Sequence, residues 1–458
     1  AMVLKTPMAM VRTPTQWLGS DHGRESGAVV EVDDPTFGSV VMPGPAFEVG
    51  ATLASVDAAR VIAAEAQPEP DERPLHGVRV LELTQAVAGP TAARLLADLG
   101  ADVIKVGSTT PGVTDGIVGH LHRGKRTILL DSSGVDGRRV LDRLVQRADA
   151  LVTNFMPAAA AKYGVDEDRL ASVNPQLVLC SISAYGRRGP WAERRAYENQ
   201  CNAATGMSQS YGAPFGWTLY QPTPINDAAT GILAAYATIV GLFARGRDGV
   251  GQRVATSLAQ ASTWHQAMGL VRSALAPDEQ SGARSAQGTS ALQRLYKAGD
   301  RSLFLAAFCT DVDGLQDCLG VDIPTEVRET WREPDGAFGA VLAERFATRS
   351  SASWKVALDA AGIAAEVVQT LDEATAYLAT RGLVYFEPGL DGDMVARPGI
   401  GAWLAETPPA VGPNPGAVGS QALEILAELD FTADDVAALA ATGVVCLPDH
   451  LPQVALRT

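Results

Sequence analysis

The chain has 458 residues, of which 52 are acidic and 37 are basic, so its formal net charge is −15. Hydrophobic residues make up 47% of it, which is enough to bury a large core in more than one domain. Because phosphate binding needs clustered cations, the charge excludes nucleic acid and anionic membrane surfaces as favoured partners. A local basic patch could still bind a small anionic ligand.

Cysteine usage indicates the compartment. Five cysteines occur without any C-x-x-C pair: Cys180, Cys201, Cys309, Cys318 and Cys446. This pattern favours neither a disulfide framework nor a zinc site, so we expect the cytoplasm and no bound metal. The start of the chain lacks the long apolar core of a signal peptide. The longest apolar stretch, 231–244, is too short to span a bilayer and predicts a buried helix.

Residues 1–72 differ in character from the rest of the chain, and we treat them as an N-terminal extension and linker. Gly-Pro turns at Pro43–Pro45 precede a predicted short helix at 56–65, and the run 67–74 predicts an exposed linker. The stretch 34–45 has the same Pro- and Gly-rich character as the tail after Gly382, although no repeat at a fixed period connects them.

Strands and helices alternate from Gly77 onwards. Helices are predicted at 91–99 and 135–148. Strands are predicted at 78–83, 101–106, 127–130, 150–153 and 177–182. Such alternation predicts an α/β domain with a parallel sheet and helices on both faces, to which we assign residues 73–260.

The second half of the chain predicts a smaller α+β domain. Long helices are expected at 228–245 and 258–275, and we assign 261–284 to a linker helix. Strands at 291–296, 302–307 and 364–369 accompany helices at 313–318, 338–348 and 351–361, which places the small domain at 285–378. Residues 379–458 are rich in turns, close with a helix at 434–441, and are predicted to return to the large domain.

One carboxylate stands out as a candidate nucleophile. Asp227 precedes the apolar run that begins at 228, so it is expected near a helix N-terminus, where the helix dipole favours the ionised form. An aspartate there can be a simple N-cap, and a carboxylate can also form covalent acyl intermediates. No G-x-S-x-G or C-G-S-C motif occurs, so serine and cysteine hydrolases lack support.

Three features could bind a phosphate-bearing ligand. The turn Ala88-Gly-Pro90 feeds a helix N-terminus and can present amides, although it lacks G-x-G-x-x-G. Arg123, Lys125 and Arg126 form either a solvated basic loop or a cation patch. The pair Asn154-Phe155 ends a strand, where ligands of open sheets bind, or else it serves as a cap and a core residue.

Jointly these motifs resemble the family III CoA-transferases. The stretch 75–105 is similar to the family's opening. Six further matches follow in order: Lys125-Arg126, Asn154-Phe155 followed by Pro157, Asn174-Pro175, Tyr197-Glu-Asn199, Asp227-Ala-Ala-Thr-Gly231 and Gly249-Val-Gly-Gln252. Members include formyl-CoA transferase and carnitine CoA-transferase, and the related α-methylacyl-CoA racemases share the fold. The resemblance is specific over 75–260 and looser to 446.

The resemblance implies a Rossmann-like CoA-binding lobe, a second, smaller α+β lobe and an interlocked homodimer. It implies that Asp227 is the nucleophile, with Glu198 and Tyr197 as further catalytic residues. The partners would be an acyl-CoA co-substrate and a carboxylic acid, without metal, nucleic acid or membrane. Contacts with coenzyme A would come from Val87, Ala88, Leu130, Asp131, Asn154, Phe155, Lys162 and Arg195. Arg123 or Lys125 would compensate for basic residues lost near Ser108 and Ser133.

Two other functions remain open. A 2-methylacyl-CoA racemase or epimerase needs two bases, and the family's racemases place a histidine about 30 residues before the aspartate. Tyr197 stands there, and its unperturbed pKa of ~10 makes it a poor base. The N-terminal extension and the lost basic residues motivate a non-catalytic CoA-binding subunit. That extension is either the remnant of a fused copy or a strand added to the small lobe.

Overall fold

A computed structural model of the chain describes residues 6–50, 73–110, 119–212, 218–220, 223–273, 287–388, 393–400, 404–413 and 416–450. The helix predicted at 56–65 lies outside the described residues.

The N-terminal segment, residues 6–50, folds onto the large sheet. It contains α1 (Pro14–Leu18), α2 (Asp21–Glu25), β1 (Val29–Asp34), β2 (Gly38–Pro43) and β3 (Glu48–Gly50). Strands β1 and β2 form a hairpin, whose turn is fixed because Oδ1 of Asp34 accepts hydrogen bonds from the backbone N–H groups of Thr36 and Phe37. Strand β3 pairs with the large sheet. It therefore does not add a strand to the small lobe, which was one of the two interpretations of the N-terminal extension.

The large domain is built from alternating strands and helices. Its elements are β4 (Arg79–Leu83), α3 (Ala88–Asp98), β5 (Asp102–Gly107), β6 (Lys125–Leu130), α4 (Val135–Gln146), β7 (Ala150–Thr153), α5 (Pro157–Tyr163), α6 (Glu167–Val173), β8 (Val178–Ser183), α7 (Glu198–Ala204), α8 (Met207–Gly212), α9 (Ile225–Asp248), β9 (Arg253–Ser257), α10 (Leu258–His265) and α11 (Ala267–Leu270). The predicted α/β fold with a parallel sheet is confirmed.

Six parallel strands run in the spatial order β6-β5-β4-β7-β8-β9, and antiparallel β3 extends the β9 edge. The central strands are buried on both faces, which explains their nearly uninterrupted apolar sequences. One face packs on a core that includes Leu141 of α4, and the other packs on α3 and α9. The order reverses at β4 and β7, which opens a crevice at the carboxyl edge.

Helix α9 is long and apolar enough to cross a membrane, by length and composition alone. Its small residues instead pack on α3, β8 and β9. A Cβ added at Gly231 would lie 2.6 Å from both the carbonyl oxygen of Ala88 and the Cβ of Thr91. The close approach of α9 to α3 therefore requires glycine at this position.

In this region one strand was missed and one helix prediction was wrong. Strand β9 was not anticipated, and the helix expected over 258–275 ends at His265 and resumes only briefly as α11. Beyond α11 the chain is extended, because Arg272 exchanges two backbone hydrogen bonds with Val41 of the N-terminal segment (2.8 and 2.9 Å). A tertiary strand contact thus overrides the local helix pattern.

The small domain has its own antiparallel sheet, β10-β11-β12-β13. Its elements are β10 (Gly288–Ser290), β11 (Gln293–Lys297), β12 (Ser302–Ala306), α12 (Val312–Leu319), α13 (Thr325–Arg328), α14 (Ala337–Phe346), α15 (Ser351–Ala360) and β13 (Ala364–Val367). A separate core around Tyr296, Phe346 and Trp354 holds it together.

The C-terminal segment returns to the large sheet. Its elements are α16 (Leu371–Ala379), β14 (Val384–Pro388), β15 (Met394–Pro398), α17 (Ala422–Glu428), α18 (Ala433–Ala441) and β16 (Val445–Cys446). Strands β14 and β15 form a hairpin, and β16 pairs antiparallel with β6. Only α18 was predicted as an element in this segment.

Candidate active site

A cleft of about 990 Å³ lies at the carboxyl edge of the parallel sheet. It is lined by the residues that follow five neighbouring strands: Thr84 to Ala86, Ser108 to Thr110, Asp131 to Ser133, Asn154 to Met156, and Ala184. The strand order reverses here, so loops on either side diverge and leave room between them. This is where a ligand of such a sheet is expected.

The floor of the cleft is a backbone turn held by Asn154. Its Nδ2 donates to the carbonyl oxygen of Gln85 (2.8 Å), and its Oδ1 accepts from the N–H of Gln85 (3.1 Å). The next residue, Ala86, has a φ of 64°, a left-handed conformation that is costly for a residue with a Cβ. Asn154 therefore shapes the first strand–helix turn.

Asp227 is the third residue of α9 and lines the cleft. Its backbone N–H donates to Oε2 of Glu198 at 3.0 Å, which connects the first turns of α9 and α7. Burial and the nearby Glu198 carboxylate raise the pKa of Asp227 to about 7. The expected position at a helix N-terminus is thus observed, but burial and the like charge oppose the ionised form that the helix dipole favours.

A chain of amides fixes Glu198, which is only 4% exposed. Nδ2 of Asn202 lies 3.4 Å from Oε1 of Glu198, and Nδ2 of Asn226 donates to Oδ1 of Asn202 (3.0 Å). Asn226 also donates to the carbonyl oxygen of Leu258 at 3.1 Å. Since Asn226 precedes Asp227, this network sets the position of the candidate nucleophile. Sequence reasoning missed both asparagines.

One wall of the cleft, residues 184–196, rests on the N-terminal segment. His22 is buried, and its Nε2 donates to the carbonyl oxygen of Tyr185 (2.8 Å) while its Nδ1 accepts from the N–H of Trp191 (3.1 Å). The rings of His22 and Trp191 stack at 4.6 Å. Burial lowers the pKa of His22, which keeps the neutral form that these two bonds require. A lone histidine gave no signal in the sequence.

Most of the predicted ligand contacts lie together in the cleft. They are Ala88, Leu130, Asp131, Asn154, Phe155, Lys162, Arg195, Tyr197 and Asp227. Glu198 lines a smaller pocket beside them. Val87 precedes α3 and does not line either cavity.

The two cations expected to compensate for lost basic residues are engaged elsewhere. Nζ of Lys125 is fully buried and donates to Oε2 of Glu82 (2.6 Å) and to the carbonyl oxygen of Pro90 (2.9 Å). Arg123 forms an ion pair with Glu387 in the C-terminal hairpin and lies over the ring of Tyr385. Neither side chain lines the cleft, so the structure gives no support to a phosphate contact by either.

The cleft has few available positive charges. Lys162 and Arg195 are exposed within it. Lys105 donates to Glu82, and Arg187 pairs with Glu167. Near the lost basic positions the groups are hydroxyls, and Oγ of Ser133 donates to Asp131 (2.7 Å). Within the described ranges, no group of three or more His, Cys, Asp or Glu side chains could hold a metal ion.

The fold and site define a class of α/β protein with a carboxylate at the carboxyl edge of its sheet. The model of CoA-transferase family III matches residues 75–421, and the chain belongs to this family. Among solved structures, it is similar to a CAIB/BAIF family protein from Brucella suis, with a TM-score of 0.65 and 26% identity. That match covers 78% of this chain and all of the other.

Curated relatives include three CoA-transferases. The CoA-transferase/lyase DddD of Marinomonas sp. (strain MWYL1) is 26% identical over 78% of this chain and 46% of its own length. The succinate–glutarate CoA-transferase of Agrobacterium fabrum is 35% identical over 40% of this chain and 51% of its own. The formyl-CoA:oxalate CoA-transferase of Streptomyces avermitilis is 35% identical over 41% of this chain and 48% of its own length. The chain thus spans about half the length of these relatives.

Proposed function

We propose that the chain transfers CoA from an acyl-CoA thioester to a carboxylic acid, with Asp227 as the nucleophile. The observation that carries this proposal is the Asp227 carboxylate in the first turn of α9, where it borders a CoA-sized cleft beside another carboxylate. A pKa of about 7 makes this carboxylate a stronger base and nucleophile than an ordinary aspartate while leaving a usable ionised fraction. The names of the relatives support the same activity.

The chemistry follows from a carboxylate facing a thioester. Asp227 attacks the thioester carbonyl and expels CoA thiolate, which leaves a mixed anhydride between Asp227 and the acyl group. The thiolate then attacks the aspartyl carbonyl, releasing the donor acid and forming an aspartyl-CoA thioester. The acceptor carboxylate attacks this thioester and expels the thiolate, which attacks the acyl carbonyl of the new anhydride. Asp227 is regenerated, and each exchange is divided into easier steps.

The cleft suits coenzyme A in place and size. The strand order β6-β5-β4-β7-β8-β9 is sequence order 3-2-1-4-5-6, the order of Rossmann-like nucleotide-binding sheets. In this proposal the turn at Ala88 and the side chains of Phe155, Lys162 and Arg195 bind the nucleotide and pantetheine arm. Lys162 and Arg195 would supply the charge that phosphates need.

We also propose a homodimer. The outer face of α9 exposes Ile225, Ile232, Tyr236 and Phe243 at helical spacing. Such a row on a long helix favours burial against another surface, and a second copy of the chain, interlocked with the first, would cover it. A cytoplasmic location fits the five free cysteines.

The racemase alternative is not favoured. Among the described residues that line the cleft, none is a histidine, and Tyr197 stands where the family's racemases place one. A non-catalytic subunit would need no carboxylate with a raised pKa beside a CoA-sized cleft.

Chemical trapping tests the proposal. The protein is incubated with an acyl-CoA in the presence of hydroxylamine, digested, and mapped by mass spectrometry. We expect a hydroxamate at Asp227, because hydroxylamine attacks the aspartyl anhydride or thioester. The Asp248→Asn variant, at the exposed end of the same helix, should be labelled equally. CoA transfer without a label at Asp227 would overturn the nucleophile assignment, and solvent deuterium exchange at the α-carbon without transfer would favour a racemase.

A further inference from the structure

Positive charge is concentrated on one wall of the large cleft, although the chain as a whole is acidic. The loop 186–196 contains four arginines and one glutamate, against a net charge of −15 for the chain. Arg187 and Arg188 are engaged in ion pairs with acids of other elements. Arg194 and Arg195 have no acid partner within the described part of the chain. They are therefore available to an anionic ligand.

A further arginine approaches this wall from the N-terminal segment. Arg12 and Arg194 both lie over the ring of Trp191, with their guanidinium carbons 4.6 and 5.0 Å from its centre. Arg12 donates one hydrogen bond, to the carbonyl oxygen of Met10 (3.3 Å), and among the described residues no acid pairs with it. Two like charges, which we call the arginine pair, are thus gathered at one aromatic ring without a carboxylate to compensate them.

The arginine pair is fixed at the backbone. The N–H of Arg12 donates to the carbonyl oxygen of Ala203 in α7, and the N–H of Arg194 donates to that of Trp191, both at 2.9 Å. Burial lowers the pKa of Arg12, and the charge of Arg194 lowers it further. The same two charges also lower the pKa of the buried His22. An anion bound by the pair would relieve this repulsion at little ordering cost.

The arginine pair lies at the rim of the cleft. Glu193 and Arg195, which flank Arg194 in sequence, both line the cleft and are exposed, and Pro7 lines it from the N-terminal segment. In the proposed function the thioester end of acyl-CoA lies inside the cleft at Asp227. The phosphorylated end of the same molecule must therefore extend towards the rim, where guanidinium groups can bind phosphate oxygens in bidentate fashion.

We infer that Arg12 and Arg194 bind a phosphate group of coenzyme A. This inference rests on the proposed function and adds two side chains to its binding site, one of them from the N-terminal segment outside the matched residues 75–421. The phosphate would be bound on the side of the 186–196 loop rather than beside Ser108 and Ser133, where basic residues are lost. The N-terminal segment would thus contribute directly to ligand binding.

Binding of truncated cofactors tests the inference without knowledge of the natural acids. The full chain is titrated in a calorimeter with CoA, with 3′-dephospho-CoA and with pantetheine, which lacks the whole nucleotide. Arg12→Met and Arg194→Met should each raise Kd for CoA at least about fivefold and leave Kd for pantetheine unchanged. The same increase for 3′-dephospho-CoA would assign the pair to the diphosphate, and loss of the increase would assign it to the 3′-phosphate.

Matched controls come from the same two segments. Arg24→Met in the N-terminal segment and Arg188→Met in the loop each remove an arginine that pairs with an acid, and both should keep the wild-type Kd for CoA. Arg194→Lys, which keeps the charge, should retain most of the affinity. Unchanged Kd for CoA in both Arg12→Met and Arg194→Met would overturn the inference. An equal loss for pantetheine would overturn it too, because the wall itself would then be distorted.

The proposed function is read separately in the same experiments. Wild-type protein that binds none of the three ligands and yields no hydroxamate at Asp227 would defeat the proposed function. A hydroxamate at Asp227, together with CoA binding that does not depend on Arg12 or Arg194, would remove only the arginine pair.

Discussion

Two shielded carboxylates in the large domain have opposite electrostatics. Glu82 in β4 is fully buried, and Nζ of Lys105 and Nζ of Lys125 donate to its two oxygens at 3.0 and 2.6 Å. These cations hold the pKa of Glu82 far below its usual range, although burial alone would raise it. Asp227 is also shielded from water, but the charged group that acts on its pKa is another carboxylate, Glu198.

The difference shows that burial does not by itself make a carboxylate reactive. In the described structure, Glu82 has its charge compensated and connects β4, β5 and β6 beneath the cleft. Burial raises the proton affinity of Asp227, and the like charge of Glu198 raises it further, so its carboxylate becomes the better nucleophile. The neighbouring charges, rather than the degree of burial, distinguish the structural acid from the candidate catalytic one.

Replacing Asp227 by asparagine tests whether this carboxylate is the nucleophile, and it should have the largest effect on activity. The amide cannot form the anhydride, so kcat for CoA transfer should fall about 10⁴-fold or more. The measurement is steady-state transfer with the best acyl-CoA found. Asp248→Asn, in the last turn of the same helix, should keep full activity. Comparable losses in both variants would indicate a folding defect and break the assignment.

Replacing Lys125 by methionine tests whether the structural acid, Glu82, depends on its neighbouring cations. Glu82 would keep its bonds to Lys105 and Thr84 but lose the partner of its Oε2, and a buried charge that loses a partner costs about 3 kcal/mol. We expect an equivalent loss of unfolding free energy in urea, followed by tryptophan fluorescence. The double variant Glu82→Gln with Lys125→Met should be less stable still, because the buried Lys105 would then lack its carboxylate partner. A Lys125→Met protein as stable as wild type would show that the cation is not needed.

Replacing His22 by alanine asks whether the catalytic wall depends on the N-terminal segment. The change leaves the buried carbonyl of Tyr185 and the N–H of Trp191 without their partner, which should cost about 2 kcal/mol of stability. Because residues 184–196 line the cleft, KM for acyl-CoA should also rise. His76→Ala, at an exposed histidine, is the control. Lost stability with an unchanged KM would limit His22 to a structural role.

Replacing Glu198 by glutamine asks how much of the raised pKa of Asp227 comes from its neighbour. Since the nucleophile must be ionised, wild-type kcat/KM should rise with pH and level off above the pKa of about 7. Removing the like charge while burial remains should move this midpoint to lower pH. Glu193→Gln, another acid in the cleft, should leave it in place. An unmoved midpoint in Glu198→Gln would assign the shift to burial alone.

The large sheet could be predicted because strands that are buried on both faces have nearly continuous apolar sequences, as in β4 and β7. Strand β9 (Arg253–Ser257) was missed because its apolar residues are limited to Val254 and Ala255 and it ends in Thr256 and Ser257, so its position between β8 and β3 reveals it. The candidate nucleophile was found from a helix-start pattern and a resemblance. Its partner Glu198 is 29 residues away in another helix, and no spacing rule predicts that contact.

The basic cluster shows why adjacent residues need not share a site. Arg123, Lys125 and Arg126 are close in sequence, but side chains alternate between the faces of a strand. Lys125 points to Glu82 under α3, whereas Arg126 pairs with Asp102 (2.6 Å) on the outer side. Arg123 precedes the strand and turns to Glu387. The three basic residues therefore form ion pairs in three separate places and do not make one patch.

Replacing Lys162 by methionine tests whether this lysine of α5 supplies positive charge for the phosphates of coenzyme A. Of the predicted effects, this one should be the smallest. Lys162 is exposed in the cleft, with Nζ 4.9 Å from the centre of the Tyr163 ring. An exposed contact to a phosphate contributes about 1 kcal/mol, so KM for acyl-CoA should rise about fivefold while kcat stays the same. Lys297→Met, at an exposed lysine of the small domain, should change neither parameter. If Lys162→Met also leaves KM unchanged, the ligand's phosphates must be bound elsewhere, and Arg195 becomes the next side chain to replace.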